Sequence, residues 1–271
     1  MMTRICFLNH HLNVGSEPGG WADEVDSLNG NTLLCGYTIN PDDPLVLPES
    51  INNVSSVNLD KVEGHFSTTA DGLYAVFHSN RHGTIGRGDL FEARRDNINS
   101  EWGNIEVMTE LNSTYGEFQA SVRSDGLKIC FTSPRPGGLG GNDIWRSIRG
   151  TRESSWSKPE PISEINSKWQ DAGPCFSADG LRIYFHLYRS GSGNIFVAER
   201  SCIFDSFRSP NAPTSLNEPA YGEFVPCISQ DGKILYFASN RPGGKGDMDI
   251  WKAFRLRQKC RMVRIDQCYT Y

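Results

Sequence analysis

Apolar and polar positions along this chain alternate in short runs, and the runs come back at a fixed distance. An Asp-Gly pair stands at Asp71, Asp125, Asp179 and Asp231, with spacings of 54, 54 and 52 residues. Each pair is followed by a strand-like run: LYAVF, LKICF, LRIYF and KILYF. Six residues after each Asp lies Phe77, Phe131, Phe185 or Phe237, and ten after it lies Arg81, Arg135, Arg189 or Arg241. A glycine-rich loop leads to a second apolar run, starting at Asp89, Asp143, Asn194 and Asp249 and ending on Arg95, Arg149, Arg200 and Arg255. Aromatic-led segments begin at Trp102, Trp156 and Phe207, and ten residues on comes Asn112, Asn166 or Asn217. Chance does not produce so many matched offsets, and repetition at a period near 50 residues governs the fold.

Each unit reads as four strands. Asp-Gly supplies the positive φ angles of a tight hairpin. The runs are rich in Ile, Tyr, Phe and Val, which suit a pleated surface, and no stretch of about 12 residues shows helical periodicity. In the last copy the innermost strand ends near Ser229, the second is Lys233 to Ser239, and the third is Asp249 to Arg255. The fourth is the segment Trp156 to Ile162 in its own copy, where Pro159 and Pro161 fit a sheet edge. Four-stranded sheets at this period predict an all-β chain folded as a β-propeller of antiparallel blades. The Phe of the second strand and the aromatic of the third are the expected packing residues between blades, each ring contributing about 2–3 kcal/mol by burial.

The expected organisation is one domain over residues 1–271: a degenerate first blade at 1–57 with an insertion at 9–31, then blades at 58–110, 111–163, 164–215 and 216–271. Thr3 to His11 echoes Leu127 to Arg135 as a second strand, Thr32 to Ile39 reads as a third and Pro44 to Val57 as a fourth. Met262 to Tyr271 would be the fourth strand of the last blade. Because open sheet edges invite aggregation, a ring of five blades with one incomplete blade is expected. Part of a six-bladed ring is the alternative.

The copies share the consensus E-x-x-P-x-I-S-x-D-G-x-x-(L/I)-Y-F-x-S-N-R-P-G-G-x-G-x-x-D-I-W, carried best by Glu223 to Trp251. This resembles the WD-like propeller repeats of the TolB and Tricorn type, over roughly residues 45 to 256. It is most similar to the variety found in bacterial envelope proteins beside OmpA-like domains. The third copy departs from the pattern: its loop YRSGSGN is three residues short, and Asn194 replaces the Asp. The resemblance implies a bacterial protein of the envelope or periplasm. The start of the chain points the other way, because its apolar stretch, Ile5 to Leu8, falls far short of a ~7–15-residue signal core. So do the eight cysteines, which form no C-x-x-C pair and mostly sit in apolar strand patterns as small buried hydrophobes.

Charge narrows the partners. Lys plus Arg is 27 and Asp plus Glu 32, for a net charge of -5, so the basic stripe of a nucleic-acid binder is missing. No apolar run approaches the ~18 residues of a membrane span.

Eight positions before each Asp-Gly sits an acid: Glu63, Glu117, Asp171 and Glu223. In a propeller these begin the innermost strands, at the rim of the central channel. With Arg81, Arg135, Arg189 and Arg241 they form the candidate ligand-binding set, a ring able to hold a cation or a basic ligand group. Four acids matched by four repeat arginines favour the structural reading, in which each acid makes an ion pair with a repeat arginine or caps a loop. Asp89, Asp143 and Asp249 are expected to accept N–H bonds from their own glycine-rich loops. The loop at Gly244-Lys245 continues with Gly246 and so is no phosphate loop. No nucleophile elbow is present, and His10, His11, His65, His78, His82 and His186 make no metal set. No catalytic residue, metal or cofactor is therefore assigned.

Two functions fit. One is a non-catalytic scaffold or binding module for a protein or cell-envelope glycan partner, with loops presented on a rigid frame. The other is a carbohydrate-active, glycosidase-like enzyme, which needs two carboxylates ~5–10 Å apart at the channel mouth with separated pKa values. Repeat-equivalent acids should have like surroundings, which favours the first. A non-repeated acid such as Asp23, Glu24 or Asp26 would break that symmetry.

Overall fold

The computed structural model describes residues 54–254, apart from residues 60, 190 and 245. The strands expected at Thr3 to His11, Thr32 to Ile39 and Met262 to Tyr271 lie outside the described residues, as do the insertion at 9–31, Asp23, Glu24, Asp26, His10 and His11. The described residues form four antiparallel sheets with no helix among them. The first sheet is β1 (Glu63–Thr68), β2 (Tyr74–Ser79), β3 (Asp89–Arg94) and β4 (Gly103–Val107). The second is β5 (Phe118–Val122), β6 (Lys128–Ser133), β7 (Asp143–Ile148) and β8 (Glu160–Pro161). The third is β9 (Gln170–Phe176), β10 (Arg182–Arg189) and β11 (Ser192–Glu199), and the fourth is β12 (Glu223–Ile228), β13 (Ile234–Ser239) and β14 (Asp249–Phe254). Strands pair in chain order within each sheet, and β1, β5, β9 and β12 lie beside one another in that order, as inner strands of successive propeller blades.

The Asp-Gly hairpins are all present, with one correction to their mechanism. Only the glycine is left-handed, at φ 70, 79, 68 and 71° for Gly72, Gly126, Gly180 and Gly232. The aspartate works through its side chain instead. Asp71 Oδ1 accepts the Leu73 N–H at 3.1 Å, and Asp125, Asp179 and Asp231 accept from Leu127, Leu181 and Lys233 at 2.9, 2.9 and 3.1 Å. The fourth strand falls short of expectation. In the segment Trp156 to Ile162 only Glu160–Pro161 is a strand, with single bonds from Ser157 N–H to the Ile148 carbonyl and from Ile162 N–H to the Ile144 carbonyl on either side. The third sheet keeps an isolated bridge, Val197 to Asn211, and a bond from Arg208 N–H to the Glu199 carbonyl. Pro159 and Pro161, and Pro210 and Pro213, remove the N–H groups a longer ladder needs. The proline-free Gly103–Val107 forms a full strand.

Three devices join one sheet to the next. The expected aromatics pack between them: Phe77, Phe131 and Phe185 are wholly buried, Phe237 nearly so, and Phe131 clusters with Tyr74, Val76 and Leu90 of the preceding sheet. Next, a short turn after each outer segment carries the repeat Asn. Asn112, Asn166 and Asn217 accept the N–H of Leu90, Ile144 and Ile195 at 2.8, 2.9 and 2.7 Å and donate back to the same residue's carbonyl at 2.9, 3.0 and 2.9 Å. Finally, inner strands exchange side-chain rungs. Val122 N–H donates to Ser67 Oγ, Phe176 N–H to Ser121 Oγ, and Ile228 N–H to Cys175 Sγ, at 3.1, 3.3 and 3.4 Å. Cys175 thus stands in for a serine, beyond the small-hydrophobe role expected of it. Cys130, wholly buried, fits that expectation, and burial pushes its thiol up to about 12.

Each inner strand also kinks two residues after its acid. His65, Gln119, Gly173 and Val225 all have left-handed backbones, at φ 52, 54, 64 and 47°. The strand register shifts there in every sheet, as at a β-bulge. The kink turns the N–H toward the preceding sheet: Gly173 donates to Thr132 Oγ1 at 3.1 Å and Val225 to His186 Nδ1 at 3.3 Å. Among the described residues β1 and β12 do not touch. Among the described residues the outer part of the fourth sheet is uncovered: Ile250 is 57% exposed, where its counterparts Leu90, Ile144 and Ile195 are fully buried.

Candidate functional site

The four repeat acids begin the inner strands as expected, and all four are wholly buried. Three share one arrangement. Arg81, Arg135 and Arg241 reach Glu63, Glu117 and Glu223 at 3.2, 2.6 and 2.9 Å. Each guanidinium also donates to the carbonyl of the preceding turn, at Val57, Leu111 or Leu216. Each lies over the two aromatics of its sheet, Arg135 at 5.1 Å from the Phe131 ring centre and 5.3 Å from that of Trp145. A counter-charge and hydrogen bonds meet each buried carboxylate, and the ring faces hold the guanidinium. At Glu223 burial still pushes the carboxyl up, against the opposing pull of Arg241 and Ser239.

Asp171 is different. The short loop of the third copy becomes a two-residue connection through Gly191, so β10 and β11 run on to pair Arg189 with Ser192. Arg189 is carried outward and exposed, and the pairing expected between it and Asp171 is not made. Leu187 faces Asp171 where a serine faces the other acids. Asp171 Oδ2 accepts from Ser167 N–H at 2.6 Å and Ser167 Oγ at 2.8 Å, while among the described residues its Oδ1 has no hydrogen-bond partner. Burial pushes this carboxyl up to about 6, the Ser167 bonds oppose that, and the charge of Asp143 adds to it. Glu63, Glu117 and Glu223 share the arginine and the facing serine that Asp171 lacks, although burial also pushes the Glu223 carboxyl up and, among the described residues, its Oε2 has no hydrogen-bond partner.

The loop aspartates behave as expected. Asp89 Oδ1 accepts from Gly86 N–H at 3.0 Å, Asp143 Oδ2 from Gly140 at 3.0 Å, and Asp249 Oδ2 from Gly246 at 3.1 Å. Gly138 and Gly244 are needed for the approach: a Cβ there would stand 2.0 and 1.9 Å from the aspartate Oδ2. His65 and His78 lie side by side, ring centres 5.4 Å apart, and His82 is exposed. Among the described residues no three His, Cys, Asp or Glu side chains converge as a metal set.

A second column was missed in the sequence. Two residues before the acids of the second, third and fourth sheets stand Tyr115, Trp169 and Tyr221, with Lys61 in the first. Tyr115 is 50% and Trp169 38% exposed, and Tyr221 is half-buried. The offset of two from each acid was the available signal.

No family model matches the sequence, and no curated protein matches it. Solved structures are similar in fold. A thermostable family-43 glycoside hydrolase matches with a TM-score of 0.51 at 11% identity, over 72% of this chain and 72% of that one. The putative TolB from Agrobacterium tumefaciens matches with a TM-score of 0.46 at 15% identity, over 76% of this chain and 62% of its own. TolB from Acinetobacter baumannii matches with a TM-score of 0.45 at 21% identity, over 74% and 43%. The chain therefore spans less than two thirds of either TolB chain. At such identities the likeness to solved structures concerns fold alone, that of a β-propeller.

Proposed function

We propose that this chain is a non-catalytic propeller module of the TolB type, whose acid-bearing end binds a protein or a cell-envelope glycan. The aromatic column carries the reading. Tyr115, Trp169 and Tyr221 recur in register on segments that lead into rigid inner strands, and two of the rings are well exposed. Rings with one apolar face and one polar tip suit partly wet contacts with sugars or peptides. The charges of Glu63, Glu117 and Glu223 are already met by their arginines, so they serve the frame and leave recognition to what projects beyond it.

The ring is proposed to have five blades, the fifth drawing on residues outside 54–254 and covering the outer part of the fourth sheet at Ile250, with a six-bladed ring as the alternative. The glycosidase-like reading has on its side the carboxyls that burial pushes up, Asp171 beside Asp143 above all and Glu223 as well. It requires those carboxyls to reach a substrate, and Asp171 and Glu223 are both wholly buried.

Replacing Tyr115 and Trp169 together by Ala, in the full chain, tests the proposal against a panel of peptidoglycan fragments, other glycans and candidate protein partners. Binding lost at an unchanged melting temperature is the expected result. A variant that binds every panel member as the parent does would overturn it. Hydrolysis of an aryl glycoside that disappears in Asp171→Asn would favour the enzyme instead.

A further inference from the structure

The junctions between consecutive sheets can be compared residue by residue within one chain, and the second reverses the charge of the first. In the first junction Tyr74, at the start of β2, donates its hydroxyl to Glu92 Oε2 at 2.7 Å. Arg94 pairs with the same carboxylate at 3.2 Å. Arg149 of the second sheet lies 4.7 Å from the Tyr74 ring centre, within the field of Glu92. A carboxylate thus stands among the guanidiniums.

In the second junction Lys128 takes the place of Tyr74, three residues after the hairpin aspartate, and Arg146 takes the place of Glu92, three after the loop aspartate. Arg200 of the third sheet answers to Arg149. Arg123 N–H donates to the Lys128 carbonyl at 2.8 Å across the hairpin, and Arg146 lies opposite Cys130, two residues along from Lys128. These side chains share the face on which Cys130 packs with Ile183 and Phe185 of the third sheet. Arg123 and Arg200 converge on Gly180, where a Cβ would stand 3.0 Å from Arg123 Cδ and 3.6 Å from Arg200 Nη2.

The carboxylates nearby leave two of these cations unmet. Arg123 holds Asp125 at 2.6 Å, and Arg146 lies 3.7 and 3.5 Å from Glu160 and Glu164. Arg200 donates to the carbonyls of Gly180 and Asp205, at 2.6 and 3.4 Å. Lys128 is only 7% exposed, and among the described residues its ammonium has no hydrogen-bond or ion-pair partner. Burial lowers that ammonium from the usual lysine range, and Arg200, Arg146 and Arg123 lower it further, with Cys130 opposing. A buried cation without a counter-charge is costly. The place is open to a solute from one side, since Ile148, which faces Lys128 across the strands, is 55% exposed.

We propose that Lys128, Arg200, Arg146 and Arg123 form a binding site for a phosphate group, free or as a monoester. Two unmet positive charges match a dianion, and an ammonium with guanidinium forks supplies donors to several oxygens at once. The site lies at the hairpin end of the inner strands, away from the aromatic column, and its test is independent of that reading.

The experiment follows thermal unfolding of the full chain titrated with inorganic phosphate, glycerol 3-phosphate, acetate and chloride at constant ionic strength. The melting temperature should rise with either phosphate compound, less with acetate and not with chloride. A rise at lower concentration with glycerol 3-phosphate would assign the site to a monoester, and one at lower concentration with inorganic phosphate to the free ion. Phosphate also stabilises folded chains by exclusion from their surface, so variants decide. Lys128→Met should weaken the apparent affinity by about tenfold or more. Lys128→Tyr combined with Arg146→Glu, which installs the pair of the first junction, should abolish the specific response. Arg146→Gln, at a half-exposed position, should weaken it too and decides the matter should the Lys128 variants fail to fold. A phosphate response no larger than that to chloride, or one undiminished in the variants that fold, would overturn the proposal.

Discussion

The side chain of Asn112 grips the main chain of Leu90 at both of its polar groups, accepting the N–H at 2.8 Å and donating to the carbonyl at 2.9 Å. An amide side chain thereby supplies the acceptor that the Leu90 N–H would otherwise lack, and joins Met108 N–H, at 2.9 Å, on the Leu90 carbonyl. Asn166 does the same for Ile144. Asn166→Ala should cost about 1–3 kcal/mol in denaturant unfolding. Asn166→Asp should cost more, because a carboxylate cannot donate to the Ile144 carbonyl.

Glu117→Gln should be strongly destabilising, by about 3–5 kcal/mol, because it leaves Arg135 half-buried without its counter-charge. Asp171→Asn, at the equivalent position, should act in the opposite direction. The two variants compared in one urea series at pH 7 would check this. Equal losses would mean that the missing arginine makes no difference to the third sheet.

The pH response of that position follows from its carboxyl lying at about 6 in the fold against an ordinary 3.8. The folded state holds the proton more tightly than the unfolded chain does. The stability it contributes is complete below pH 3.8 and is lost as pH rises through 6. The melting temperature of Asp171→Asn relative to the parent should therefore climb between pH 4 and pH 7. A difference constant over that range would show that Asp171 does not titrate there.

Cys175→Ser should be nearly neutral, since a hydroxyl can accept the Ile228 N–H as Ser67 and Ser121 accept theirs. Cys175→Ala leaves that N–H buried without an acceptor and should cost about 1–3 kcal/mol, read from equilibrium unfolding.

What the sequence revealed depended on whether a constraint acts on side chains. The hairpin aspartates, the buried Phe column and the loop aspartates recur as letters, and each lies where its offset placed it. The kinked residues His65, Gln119, Gly173 and Val225 share no letter, because the constraint is on the backbone, and a left-handed φ in a strand leaves no common side chain to read. Asn112, Asn166 and Asn217 recurred visibly, but their grip on a strand edge depends on a turn whose geometry no offset conveys. The short loop of the third copy was plain in the sequence. Its effect was not, because a hairpin shortened by three residues lengthens its strands and displaces Arg189 from the acid it would have met.

The reach of the joining bonds bears on how the chain acquires its shape. The Asn grips span 22 residues, the guanidinium-to-carbonyl bonds 24 or 25, and the rungs between inner strands 53 to 55. Each added sheet therefore docks on the one just made, and no contact among them waits on a distant partner. Loop-closure entropy rises only slowly with length, but it must be met before any distant pairing is rewarded. Ordering can accordingly start at any of these sheets and spread to its neighbours, in the manner of a linear array.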